Sequence, residues 1–478
     1  MKAIEPVAAG EVQFERSTDV VVVGLGIAGC SAAIAAADAG ADVLALERGM
    51  VPGGTSANSG GLIYLGGGTA VQRACGYADT PDNMERFLTA ALGPEVDHDR
   101  LHAYCAGSVD HFDWLVAHGV PFRAAFCDEP NRESADDAGL VFSGGEDSWP
   151  FDELADPVPR GHKPQFVDSA GGYLMQRMAA AVAATSAAVV TEARVDRLVV
   201  DDGEVVGVLT TIDGAARAIR ARRGVVLAAG GFINNDAMVA EHCPTAHVPN
   251  EAWRVGTPSD DGRGILLGTG AGGATARLDS FECALPLGPP HRLCRGILVN
   301  AAGERFVNED TYTGRIGLQA LVEQHGQVFL VVDEVVAERN LLGLRVQWAA
   351  ETAAELADDL GLPRDRFAAT VAAYNEHAAR GDDPQFHKRR PFVQPLGPGL
   401  GAIDLRVDHD AIYATFTLGG LAVDTEGRVL DGSGVPVPGL AAAGRTSVSL
   451  AARGYASGIS LGDGSFFGRR AGAHMARR

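Results

Sequence analysis

One set of residues in this chain has types and a spacing that can do chemistry: Gly24-Leu25-Gly26-Ile27-Ala28-Gly29, followed by Glu47 eighteen residues beyond the last glycine. Glycines at this spacing turn the chain tightly and bring backbone N–H groups, with the positive end of a helix, against a pyrophosphate. An acid at that distance is placed to accept from ribose hydroxyls.

The elements that must carry these residues are readable in outline. Asp19 to Val23 is a strand rich in β-branched residues, Cys30 to Ala39 a small-residue helix, and Asp42 to Leu46 a second strand ending at Glu47, which together make one β-α-β unit. Pro52 to Gly68 reads as a glycine-rich loop, and Met84 to Leu92, Leu101 to His118 and Tyr173 to Ala184 have helical spacing. Glu192 to Val200 and Val205 to Ile212 form a hairpin turning at Asp202-Gly203, and Gly224 to Phe232 is a buried strand ending in glycines. From Phe281 to Asp404 short strands such as Phe329 to Val332 alternate with charged helices, Ala349 to Leu360 and Arg366 to Ala379. Gly439 to Arg445 is a further strand-to-glycine transition, and Gly454 to Gly472 a loop entering a helix.

This gives an α/β fold: a Rossmann-like domain over residues 1–280, an inserted α+β catalytic or capping domain over 281–404, and a return segment over 405–478. A nicotinamide enzyme usually needs one dinucleotide unit, whereas this chain comes back to the same sheet much later. That favours a flavin, approached by backbone at Gly230-Gly231 and at Gly444-Arg445.

A formal charge of −21 disfavours nucleic acid and anionic membranes as partners. No apolar run approaches the ~20 residues of a spanning helix, and Met1 to Ser17 lacks the apolar core of a signal peptide. Seven cysteines without a C-x-x-C pair fit a reducing cytoplasm. The histidines show no metal-ligand spacing, so no metal is expected, and no G-x-S-x-G elbow points to a hydrolase.

The assembly of Gly24–Gly29, Gly53-Gly54-Thr55, Gly230-Gly231, the stretch Gly303–Glu309 (GERFVNE) and Thr417-Leu418-Gly419-Gly420 resembles the fumarate reductase and 3-ketosteroid dehydrogenase flavoproteins over nearly the whole chain. Within them, Ser59–Gly68, Glu309–Arg315 and Gly454–Gly458 are most similar to the 3-ketosteroid Δ4-dehydrogenases. The resemblance implies a glutathione reductase-like domain holding FAD, and oxidation of the C4–C5 bond of a 3-oxosteroid. It implies hydride loss from C5 to flavin N5, proton loss from C4 toward Tyr455 and Ser457, and Tyr312 in the same site. Tyr455 and Ser457 are two residues apart, so their hydroxyls share a side where the chain is extended, as the neighbouring glycines permit. A tyrosine ordinarily ionises near ~10, high for a base at neutral pH, so Tyr455 is expected either to be tuned downward or to move its proton in concert with hydride loss.

It further implies that FAD is held by Gly24, Gly26, Ala28, Gly29, Glu47 and Arg48 on the first β-α-β unit, and by Gly54, Thr55, Ser59, Gly60 and Gly61 on the following loop. Val195, Ala229, Gly230 and Asp261 complete the middle of the site, and Gly444, Arg445, Gly458, Ser460 and Leu461 its C-terminal side. No histidine lies in Ala57 to Gly68, where covalent-flavin relatives attach the cofactor, so FAD is expected to be noncovalent. Fumarate reductase-like enzymes place a histidine and an arginine where Phe416 and Tyr455 stand here, and Δ1-dehydrogenases a glycine where Ile459 stands. An enoate reductase running the same atoms backwards on another cyclic ketone, a Δ1-type ketosteroid dehydrogenase and a non-enzymatic flavin module remain the alternatives. Neither the physiological electron acceptor nor 5α against 5β stereochemistry is encoded in these residues.

Overall fold

The computed structural model describes residues 2–128, 134–249, 253–288, 291–337 and 343–478. Its largest sheet starts with β1 (Val7–Ala8), β2 (Phe14–Val23) and β3 (Val43–Leu46), and continues with β4 (Ala188–Val190), β5 (Arg194–Asp201), β6 (Glu204–Ile212) and β7 (Ala215–Leu227). The spatial order is β1-β5-β6-β7-β2-β3-β4. The pairs β7-β2, β2-β3 and β3-β4 are parallel, and β5-β6-β7 is an antiparallel meander. Val20, Val21 and Val22 are wholly buried, as a parallel strand covered on both faces requires. The crossover from β2 to β3 is α1 (Ile27–Asp38), and α2 (Gly171–Ala183) packs beside it.

The middle of the chain forms a second unit. Strands β8 (Phe281–Ala284), β9 (Ile297–Asn300), β10 (Val328–Asp333), β11 (Val346–Ala350) and β12 (Leu400–Asp404) are accompanied by α3 (Thr313–Leu318), α4 (Ala353–Leu360) and α5 (Arg364–Ala378). Four of these strands make an antiparallel sheet in the order β9-β10-β12-β11, and β8 pairs separately with β13 (Ala414–Thr417). The stretch expected as one helix from Ala349 begins instead as a strand. Val346–Ala350 alternates between exposed and half-buried positions, and only at Thr352 does a capping box with Glu355 start α4.

The chain then returns to the large sheet through β14 (Pro436–Ala442), whose Leu440–Ala442 lie beside Val225–Leu227 of β7. The last helix, α6 (Ile459–Arg477), crosses α1 at very short range. A Cβ on Gly468 would lie 2.3 Å from the carbonyl oxygen of Ala28, and one on Gly472 would lie 2.1 Å from that of Ala32. This glycine-to-alanine contact seats the first turn of α6 where the loop Arg453–Gly458 must end. No helix among the described residues is long and apolar enough to cross a membrane.

Candidate active site

A cavity of about 680 Å³ runs from the C-terminal ends of β2 and β3 to the contact between the two units. One end is made mostly of backbone. Gly24 sits at φ +91°, and a Cβ on Gly29 would lie 1.8 Å from the Gly24 carbonyl oxygen, so neither position tolerates a side chain. Gly29 therefore supports the turn without lining the cavity, while Gly24, Gly26 and Ala28 do line it. Glu47 is held from both sides: Oε2 accepts the Leu25 N–H at 2.7 Å and Oε1 the Gly49 N–H at 2.7 Å. Each oxygen keeps a lone pair for a ligand hydroxyl. Arg48 and Asp261 pair at 2.7 Å at the rim, and Val195 lies in the same wall.

The middle of the cavity is tied together by a residue that motif reading passed over. Asp260 is buried and accepts the Gly231 N–H at 2.9 Å, the Thr257 N–H at 3.0 Å, the Thr55 hydroxyl and Arg445 Nη2, the last at 2.9 and 3.0 Å to its two oxygens. It thus links the glycine loop, the end of β7 and the end of β14, which are remote in sequence. Its neighbour Asp261 carries the resemblance, and nothing in the local sequence tells the two apart. Gly54, Thr55, Ser59, Gly60, Gly61, Ala229, Gly230, Gly444 and Arg445 all line this stretch. Arg445 Nη1 is buried without a partner, and the guanidinium carbon lies over the Phe416 ring, 5.9 Å from its centre.

The other end is made of side chains. Tyr312 and Tyr455 stack with ring centroids 6.4 Å apart, and Phe416 meets Tyr455 edge-on at 5.4 Å. Each tyrosine arrives by a different route. Tyr312 caps α3 and follows the charged stretch 305–310, which is locked by buried ion pairs: Arg305 with Glu309 and Asp383, both at 2.8 Å, Lys388 with Glu309 at 2.9 Å, and Arg389 with Asp310 at 2.7 Å. Burial alone would raise the Glu309 carboxyl, but Arg305 and Lys388 outweigh it and hold it below its ordinary range. Tyr455 stands in the loop before α6, four residues ahead of Ile459, and its oxygen accepts the Ser460 N–H at 3.1 Å. Ser457 is pinned by the 143–146 loop, donating its N–H to the Ser143 carbonyl at 3.2 Å and accepting the Ser143 hydroxyl at 2.9 Å. Ser457, Gly458, Ser460 and Leu461 line the same cavity.

The electrostatics correct one expectation. Burial pushes the Tyr455 hydroxyl well above its ordinary value, and the hydrogen bonds from Ser460 offset only part of this. Tyr455 is not tuned downward, so the concerted alternative stands. The hydroxyl of Tyr312 instead meets a carboxyl that the sequence did not single out: it donates to Glu282 Oε1 at 2.9 Å.

The comparisons with known proteins agree with this architecture. The family description "FAD binding domain" matches residues 19–461. A 3-oxo-5-alpha-steroid 4-dehydrogenase of Comamonas testosteroni is 29% identical over 91% of this chain and 94% of its own. The 3-ketosteroid-delta4-(5alpha)-dehydrogenase of Rhodococcus jostii RHA1, whose crystal structure holds 4-androstene-3,17-dione, superposes with a TM-score of 0.94 at 45% identity, covering 99% of this chain and 100% of that one. The chain belongs to the FAD-binding 3-ketosteroid dehydrogenase family. A 3-oxosteroid 1-dehydrogenase of Mycolicibacterium smegmatis is also similar, at 27% identity over 96% of this chain and 97% of that protein.

This flavoprotein is therefore an FAD-dependent oxidoreductase with a Rossmann-like FAD domain and an inserted α+β unit. The cavity fits that cofactor. Its backbone end offers the glycine turn and Glu47, and Arg445 Nη1 is an unused buried donor in its wall.

Proposed function

We propose that this flavoprotein dehydrogenates the C4–C5 bond of 3-oxosteroids to give Δ4-3-oxosteroids. The observation that carries the reading is the meeting of Tyr312, Tyr455 and Phe416 at one end of the cavity, where Tyr455 and Phe416 replace the charged grip a dicarboxylate needs. Arg445, whose Cζ lies 5.9 Å from the Phe416 ring centre, is tied through Nη2 to both oxygens of Asp260. Apolar surface with a few hydroxyls suits a sterol skeleton with one carbonyl.

Bound FAD supplies the hydride acceptor for the hydrogen on C5. Gly24, Gly26, Glu47 and the glycine loop at 54–61 would hold it noncovalently, and Arg445 Nη1 would be available to it as a donor. The remaining work falls to this chain's own residues. The C4 proton is α to the C3 carbonyl, so a hydrogen bond to that oxygen stabilises the developing enolate. Tyr312, Tyr455 and Ser457 supply the hydroxyls that hold the oxygen and carry the proton away. The inserted unit brings Tyr312 over the site and shields it from water. The scattered cysteines, with no C-x-x-C pair, support a reading of action in a reducing cytoplasm.

Anaerobic mixing of the yellow protein with a saturated 3-oxosteroid tests the reading. The flavin absorbance is expected to bleach, and chiral analysis of a substrate panel then assigns 5α or 5β preference. Bleaching by succinate and not by steroids overturns it.

A further inference from the structure

The substrate end contains a carboxyl group to which the chemistry above gives no task. Glu282 lies on β8, paired with Phe416 of β13, and is 1% exposed. Oε1 receives the Tyr312 hydroxyl at 2.9 Å, while Oε2 is buried without a partner. A Cβ on Gly314 would come within 2.0 Å of Oε1, so the chain keeps a glycine there and the carboxyl stays packed against the start of α3. An unpaired carboxylate is costly to bury, and a packing role alone would be served as well by an amide or a leucine.

We propose that Glu282 is the positioning residue that receives the proton of Tyr312 during dehydrogenation, making the Tyr312–Glu282 pair the acceptor at the end of the hydroxyl relay. The proposal rests on the steroid reading above. The C4–H bond breaks and its proton bonds to Ser457 Oγ, the Ser457 O–H bond breaks and its proton bonds to Tyr312 Oη, and the Tyr312 O–H bond breaks and its proton bonds to Glu282 Oε1. The C4–H electron pair becomes the new C4–C5 π bond, and the C5 hydrogen leaves with its pair as hydride to the bound flavin. The net result is one neutral Glu282 carboxyl and no free phenolate. No charged phenolate has to form in the buried site, where loss of water disfavours the charged form. Tyr455, whose oxygen takes the Ser460 N–H, is left to donate a hydrogen bond to the C3 oxygen while keeping its proton.

The surroundings of Glu282 suit the task. Its titratable neighbours are Tyr312 from the start of α3, Tyr455 from the loop before α6 and Cys283 beside it on β8, and Phe416 opposite is apolar. Burial pushes the carboxyl up to about 8, against the lowering hydrogen bonds from Tyr312 and the Cys283 backbone. A base so placed holds a transferred proton far better than an ordinary carboxylate does.

The test is the pH profile of kcat/KM for a saturated 3-oxosteroid, which needs no variant. It is expected to rise about tenfold per pH unit below about 8 and to level off above, because the charged form accepts the proton. E282Q, which keeps the shape, is expected to lose that step and roughly 10²-fold in rate. Its flavin content and its binding of the Δ4-3-oxo product, read from the perturbed flavin spectrum, should be unchanged. Infrared difference spectra of wild type reduced by substrate should gain a protonated carboxyl band that E282Q lacks. A rate that falls above about 8, or an E282Q that keeps wild-type rate and profile, overturns the Glu282 assignment alone. A wild type that no 3-oxosteroid reduces overturns the substrate reading and the assignment with it.

Discussion

The two ends of the cavity are built from different materials. At the nucleotide end the groups are backbone N–H donors, glycines and one acid, Glu47, drawn from a single β-α-β unit. At the substrate end they are side chains from four segments: Glu282, Tyr312, Phe416 and Tyr455, with Ser457 beside the last. The first arrangement is fixed as soon as two strands and a helix form. The second exists only after the inserted unit has folded and its buried ion pairs have set the stretch before Tyr312. Damage to one end should therefore cost the cofactor, and damage to the other should cost rate while the cofactor stays.

Gly29→Ala is expected to have the largest effect, although Gly29 does not line the cavity. Its Cβ would lie 1.8 Å from the Gly24 carbonyl oxygen, so the glycine turn at the backbone end of the cavity must open, at roughly 1–3 kcal/mol or more. The variant should purify colourless and melt early, as absorbance and thermal unfolding would show. A yellow G29A with unchanged melting would mean that the backbone end is not rigid.

Tyr312→Phe probes the opposite end and is next in size. Removing one hydroxyl from a buried contact should leave flavin content close to wild type, cost about 1–3 kcal/mol of stability by leaving Glu282 Oε1 without its donor, and lower kcat by about 10²- to 10⁴-fold. Stopped-flow reduction of the flavin by substrate measures it directly. Loss of flavin in Y312F would show that the two ends are one energetic unit, and the distinction drawn above would fail.

The same contrast explains what could be seen in the sequence. The glycine turn with Glu47 has a fixed local spacing, so the dinucleotide end was visible from one short stretch. So were the strand ends at Gly230 and Gly444, because buried apolar runs stop there. Glu282 sits in Phe-Glu-Cys-Ala on an ordinary short strand, and its partner Tyr312 is thirty residues away, so no spacing announces the pair. Asp260 was hidden for a related reason: its value lies in three long-range partners, and its neighbour Asp261 looks identical in sequence. Tyr312, Tyr455 and Ser457 were found through resemblance alone. The misread start of α4 arose because Val346–Ala350 and the helix after it are continuous in composition, and only the Thr352–Glu355 box separates them.

The smallest expected effect sharpens the contrast within the nucleotide end itself. Arg48 adjoins Glu47 in sequence and lines the same cavity, so proximity alone would rank it with the glycine turn. Its pair with Asp261 is open to water, however, with the two side chains 42% and 31% exposed. An exposed ion pair gains little because water already solvates both partners and salt screens what remains, so Arg48→Ala should cost less than about 1 kcal/mol in stability. Any weakening of FAD binding should shrink further as salt is added. Titration of apoprotein with FAD at low and high ionic strength reads both quantities. A large, salt-independent loss of affinity in R48A would place Arg48 against the cofactor itself, and the nucleotide end would then depend on a charged side chain as much as on its backbone.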